Sequence, residues 1–198
     1  MEKLILARHG ESTYSAQGLV NGDATVHVGL TAAGEQQARE LGRALAGEPV
    51  GVCIVSALPR TRATAELALA GRTVPIEARA AFDDPGAGRF EGRPLGEYRG
   101  WAWSAGSGED APGGGESRRS IVARYAEAYR GLLDCAEAVV LAVLHALPIA
   151  YALDALDGSP PAQRITRRIG YAQPVPVAAG DLRRALDVID AWREAPTW

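Results

Sequence analysis

Along the chain, apolar residues gather in short runs set between stretches where they recur every three or four positions. Residues 3–7, 52–55 and 139–144 are Val-, Ile- and Leu-rich runs of strand length, the last being the most hydrophobic. Helical spacing fills the intervals. Thr31 is a usable N-cap ahead of Gly34, Ala38, Leu41 and Leu45, with Glu35, Gln36, Arg39 and Glu40 between them. Residues 60–69 are alanine-rich, and Ser117 opens a stretch carrying Ile121, Tyr125, Ala128 and Leu132. Residues 147–156 read as helix, 74–76 and 174–177 as extended, and Leu182, Leu186, Ile189 and Trp192 favour a helix over 181–194. No internal repeat is visible. Strands alternating with helices predict an α/β fold with a largely parallel sheet.

Residues 83–115 depart from this pattern. Glycine and proline are dense there, and Trp101 and Trp103 sit close together, which predicts long loops around a short helix near 95–103. An irregular stretch of that length in a compact domain suits a functional lid or binding loop, here spanning about 83–116, with a loose insertion as the alternative. The two tryptophans suggest an apolar or sugar-stacking wall, although aromatic pairs at this spacing more often pack locally. Residues 138–153 are apolar enough to be tested as a membrane span. They fall short of the roughly 20 residues a span needs and carry His145 and Pro148 in the middle, so a buried strand followed by a buried helix fits better.

Composition narrows the picture. A chain of 198 residues is one domain, residues 1–198, with a core large enough to need no disulfide or metal staple. With 21 Lys and Arg against 24 Asp and Glu the net charge is −3, which argues against a nucleic-acid or anionic-membrane partner. Cys53 and Cys135 are too far apart for a CxxC motif and sit among apolar residues, so they are expected to be reduced, core-like thiols. The amino terminus has too short an apolar run for a signal peptide, and the expected location is the cytoplasm.

Candidate chemistry collects where apolar runs end. The first leads into Arg8-His9-Gly10-Glu11-Ser12, the second into Ser56 and then Arg60, the third into His145. Open α/β sheets bind ligands at the carboxyl ends of their strands. If these strands are parallel neighbours, Arg8, His9, Arg60 and His145 converge on one pocket, and a phosphate monoester is the natural guest because guanidinium forks match its oxygens. Gly10 permits a sharp turn out of the strand, and Arg8 disfavours a cationic imidazole beside it. A neutral ring nitrogen aimed at phosphorus is a nucleophile. His27 has no motif around it and reads as a surface residue.

The motifs resemble the histidine phosphatase superfamily, in particular its phosphoglycerate-mutase-like branch. Arg8-His9-Gly10-Glu11-Ser12 is similar to the family's opening motif, Leu30-Thr31-Ala32-Ala33-Gly34-Glu35-Gln36-Gln37-Ala38 to its Leu-Thr-x-x-Gly-x-x-Gln-Ala helix, and Ser56 to Ala65 to its Ser-x-Leu-x-Arg-x-x-x-Thr-Ala segment. Phe90-Glu91-Gly92, Gly114-Gly115-Glu116-Ser117 and the strand leading to His145 continue the resemblance. The resemblance implies phosphoryl transfer without metal or cofactor. His9 becomes a phosphohistidine, while Arg8, Arg60 and His145 hold the phosphoryl oxygens and a carboxylic acid serves the leaving group.

The family's usual glutamate, seven residues before the Glu-Gly step, falls on Asp84, with Asp83 the alternative. Ser15 stands where the family commonly has an amide, and Ala146 where it has glycine. His145 is not followed by Asp, which sets the acid-phosphatase and phytase branch aside. Glu11 and Ser15 join Arg8 and Arg60 as expected substrate contacts, while Glu116 suits a helix start. Arg89, Arg93 and Arg99 in the lid are candidates for a second anionic group.

These readings give a three-layer α/β/α sandwich with a mostly parallel central sheet and a loop-rich lid. The favoured function is a phosphomonoesterase acting on a small phosphorylated metabolite. A phosphoglycerate-type mutase and a catalytically silent phosphometabolite-binding protein are the alternatives, and a homodimer is left open.

Overall fold

The computed structural model describes residues 1–198. Five strands form one sheet in the order β3-β2-β4-β1-β5. They are β1 (Lys3–Arg8), β2 (Val52–Val55), β3 (Ile76–Ala78), β4 (Val139–Leu144) and β5 (Val175–Ala178). β4 is central, buried along its whole length, and pairs in parallel with β1 on one side and β2 on the other. That accounts for its lack of alternation: a strand covered on both faces is apolar throughout. β5 is the exception to the parallel order. It lies antiparallel on β1 at the sheet edge, where Pro176, opposite Ile5, removes no ladder hydrogen bond from an inner strand.

Period-two alternation sorts the strand residues between two cores. Leu4, Leu6, Val140, Ala142 and Leu144 face α5 (Arg118–Leu133), α6 (Ala146–Leu156) and α7 (Ala179–Glu194). Ile5, Ala7, Cys53, Val55, Leu141 and Val143 face α2 (Ala32–Ala44) and α3 (Pro59–Ala68). The result is the three-layer sandwich. Local chemistry sets the helix starts: Thr31 accepts from Gly34 N, Ser117 accepts from Ser120 N, and Pro59 occupies the first turn of α3. No helix is long and apolar enough to cross a membrane.

Two elements differ from expectation. Residues 74–76 were expected to form the third strand, but pairing with β2 begins only at Ile76. A short helix, α1 (Thr13–Gln17), buries no residue and so leaves no apolar periodicity to read. The lid contains α4 (Leu95–Ala102) between turns and is packed rather than loose. Phe90, Tyr98, Ala102 and Ala111 form a small core of their own, with Trp101 against it. The Glu91 carboxylate fastens this lid to the chain after α1, accepting from both Gly22 N and Ala87 N at 2.9 Å.

Candidate active site

β1, β4 and β2 end side by side, so the residues that follow them share one recess. Gly10 and Gly34 let the turn after β1 lie directly on the start of α2: a Cβ on Gly34 would stand 2.0 Å from Glu11 O. The same approach holds His9. Gly10 N donates to Thr64 Oγ1 at 2.9 Å, and His9 Nδ1 donates to Gly10 O at 2.7 Å. A carbonyl can only accept, so the proton is assigned to Nδ1, leaving Nε2 unprotonated. Nε2 accepts from Arg60 Nε at 3.2 Å. Burial, reinforced by the Arg60 charge, pushes the His9 pKa well below the usual imidazole range, so the ring is neutral.

His145 follows β4 and meets His9 edge to face, with ring centroids 5.2 Å apart. It is fully buried, and burial together with Arg60 lowers its pKa strongly as well. Its Nε2 bonds Ser56 Oγ at 2.8 Å, while Nδ1 lies 3.2 Å from Arg60 Nη2 and 3.3 Å from Asp84 Oδ2. The ring therefore stands behind Arg60 and Asp84 and does not form open wall. Arg60 is the hub. Besides both imidazoles it donates to Asn21 Oδ1 at 2.6 Å, to Asn21 O at 2.9 Å and to Asp84 Oδ2 at 2.7 Å. Arg8 comes from the other side, with its guanidinium 3.9 Å from the Tyr171 ring centroid and Nη1 donating to Ile169 O at 3.0 Å.

The two neighbouring aspartates separate cleanly. Asp84 lines the recess on Arg60. The Asp83 carboxylate turns away to accept from Ala57 N at 2.6 Å, and burial raises its pKa. The cavity, of about 400 Å³, is lined by Arg8, His9, Ser15, Arg60 and Asp84 among the residues expected from sequence.

Glu11 is a correction: its carboxylate accepts from Thr31 Oγ1 at 2.9 Å and supports the start of α2, outside the cavity wall. Of the three lid arginines, only Arg99 lines the cavity, because Arg93 pairs with Glu97 and Arg89 lies over Phe90. Trp103 is on the wall while Trp101 packs locally inside the lid, so the two readings of the pair divide between them. His27 is exposed. Sequence reasoning missed Asn21, Tyr98, Arg118 and Tyr171, which no apolar run or motif announces.

Fold and recess together define an α/β protein with an arginine-lined cavity at the carboxyl ends of its parallel strands. The chain belongs to the histidine phosphatase superfamily, branch 1, whose family model matches residues 4–192. It is similar to a 2-carboxy-D-arabinitol-1-phosphatase of Triticum aestivum, 38% identical over 66 residues, which is 33% of this chain and 13% of that relative's length. Among solved structures it resembles the alpha-ribazole phosphatase of Shigella flexneri (TM-score 0.73, 23% identity, covering 88% of this chain and 89% of that one). It also resembles a mycobacterial glucosyl-3-phosphoglycerate phosphatase (TM-score 0.73, 22% identity, covering 89% and 92%). At these identities the structural likeness is one of fold.

Proposed function

We propose that this protein is a phosphomonoesterase that hydrolyses a small phosphorylated metabolite through a phosphohistidine on His9. The observation that carries this reading is the state of His9: a neutral ring whose unprotonated Nε2 faces a cavity edged by Arg8 and Arg60. In the first step Nε2 bonds to phosphorus as the bond to the leaving oxygen breaks, and Asp84 gives that oxygen a proton. Water then attacks the phosphohistidine, Asp84 takes back a proton, and inorganic phosphate leaves. The guanidinium groups of Arg8 and Arg60 supply the cationic field a metal would otherwise provide.

The phosphatase names of the wheat, Shigella and mycobacterial relatives support hydrolysis over phosphoryl return to substrate. Two unpaired thiols, one of them fully buried, suit a reducing cytoplasm. The test is turnover of p-nitrophenyl phosphate and of a panel of sugar, glycerate and nucleoside phosphates, with phosphate release and isomerised product measured separately. Wild-type protein is expected to release phosphate, unaffected by a chelator, and His9→Ala to be inactive. Equal turnover by His9→Ala, or isomerisation without net hydrolysis, would overturn the reading.

A further inference from the structure

Arg118 opens α5 immediately after its Ser117 cap, and its position is electrostatically wrong for a structural role. A cation in the first turn of a helix faces the positive end of the dipole, and no acidic residue stands there to offset it. The side chain is nevertheless buried, with 6% of its surface exposed. Its one acceptor is the Tyr151 hydroxyl, 2.8 Å from Nη1, while Nε has no partner and the groups facing its charge are phenols rather than carboxylates. A buried guanidinium without a counter-ion is costly unless something else supplies the anion. Arg118 lines the same cavity as His9, and so does Tyr98, whose hydroxyl is also buried without a partner.

We propose that Arg118 and Tyr98 form a second anion subsite, which receives a carboxylate or second phosphate carried on the leaving-group side of the phosphomonoester. This rests on the phosphatase reading for the identity of the first anion. Its own content is the substrate class: esters with two separated acidic groups. The exposed Arg99, which lines the same cavity, adds to the positive field there.

Two matched pairs test it. 3-Phosphoglycerate and glycerol 3-phosphate differ by a carboxylate in place of a hydroxymethyl group, and fructose 1,6-bisphosphate and fructose 1-phosphate differ by a second phosphate. The quantity read is kcat/KM for the ester with two acidic groups divided by that for its partner with the phosphate alone. Wild-type protein is expected to favour one acidic ester, and the preferred pair distinguishes carboxylate from phosphate. Arg118→Met is expected to lower that ratio by about 10- to 100-fold, the worth of a charge-assisted hydrogen bond, with partial recovery in Arg118→Lys.

The same ratios, measured as Kd by calorimetry in the His9→Ala background, separate the two claims. Arg118-dependent preference in binding with no turnover by wild type would sink the phosphatase reading and keep the subsite. Turnover without preference for either acidic ester, or a ratio unmoved in Arg118→Met, would sink the subsite and keep the phosphatase. Should Arg118→Met fail to fold, binding to the wild type with inorganic phosphate saturating the Arg8 and Arg60 site decides: glycerate binding more tightly than glycerol, or fructose 6-phosphate more tightly than fructose, supports the subsite. Equal binding within both pairs overturns it.

Discussion

Asp83 and Asp84 show how neighbours of the same type acquire different work. Asp84 meets Arg60 and lies 3.3 Å from His145 at the cavity wall, whereas Asp83 is spent on a backbone amide. Asp84→Asn should therefore lower kcat for alkyl phosphates by roughly 10²- to 10⁴-fold, the usual worth of a general acid, and should lower it less for p-nitrophenyl phosphate, whose leaving group needs little protonation. Steady-state rates for both aspartate variants check this. A larger kcat loss in Asp83→Asn would reverse the assignment.

Burial of two neutral imidazoles also has a cost in acid. His9 and His145 have folded pKa values below 6.5, so between the folded and unfolded values the unfolded chain binds more protons. Stability is then fully present above about pH 6.5 and falls as the pH drops below it, by up to about 1.4 kcal/mol per pH unit for each histidine. Urea midpoints across this range should fall more steeply for wild type than for His145→Gln. Parallel curves would show that the ring at 145 is not held neutral.

Among the elements, the turn after β1 and the start of α2 are one device: backbone meets backbone because residues 10 and 34 both lack a side chain. Gly34→Ala would insert a methyl group 2.0 Å from Glu11 O, where neither side is a flexible side chain. The expected cost is about 1–3 kcal/mol for overpacking. Displacement of His9 by as little as about 1 Å can reduce kcat by roughly 10²-fold. Gly29→Ala, with open space around it, should change stability by no more than about 0.5 kcal/mol, and thermal melts with rate assays compare the two.

What was legible at this scale followed signal strength. β2 and β4 appear at their expected bounds because burial on both faces writes an unbroken apolar run. The helices that rest on a core announce themselves by spacing and caps. α1 rests on nothing, and the lid's internal packing of Phe90, Tyr98 and Ala102 depends on chain reversals that no local period encodes.

For the molecule as a whole, the sheet order does the assembling. His9, Arg60 and His145 are far apart in sequence and meet only because β2, β4 and β1 are adjacent and parallel. That meeting was legible, since strand ends and motif residues coincide. Asn21, Tyr171 and Arg118 were not, because each reaches the cavity through loop or helix placement that only the folded chain defines. Glu11 fails for the converse reason: its motif position adjoins the site, but its side chain is drawn to Thr31.

The claim on which the rest depends is that His9 carries the phosphoryl group between the two steps. The direct measurement is rapid mixing with an excess of a turned-over ester, a quench that preserves phosphohistidine, and mass spectrometry of the digested protein. A peptide containing His9 heavier by one phosphoryl group, acid-labile and lost in His9→Ala, is the expected result. Steady phosphate release by wild type with no such adduct at any quench time, and the same release by His9→Ala, would contradict it.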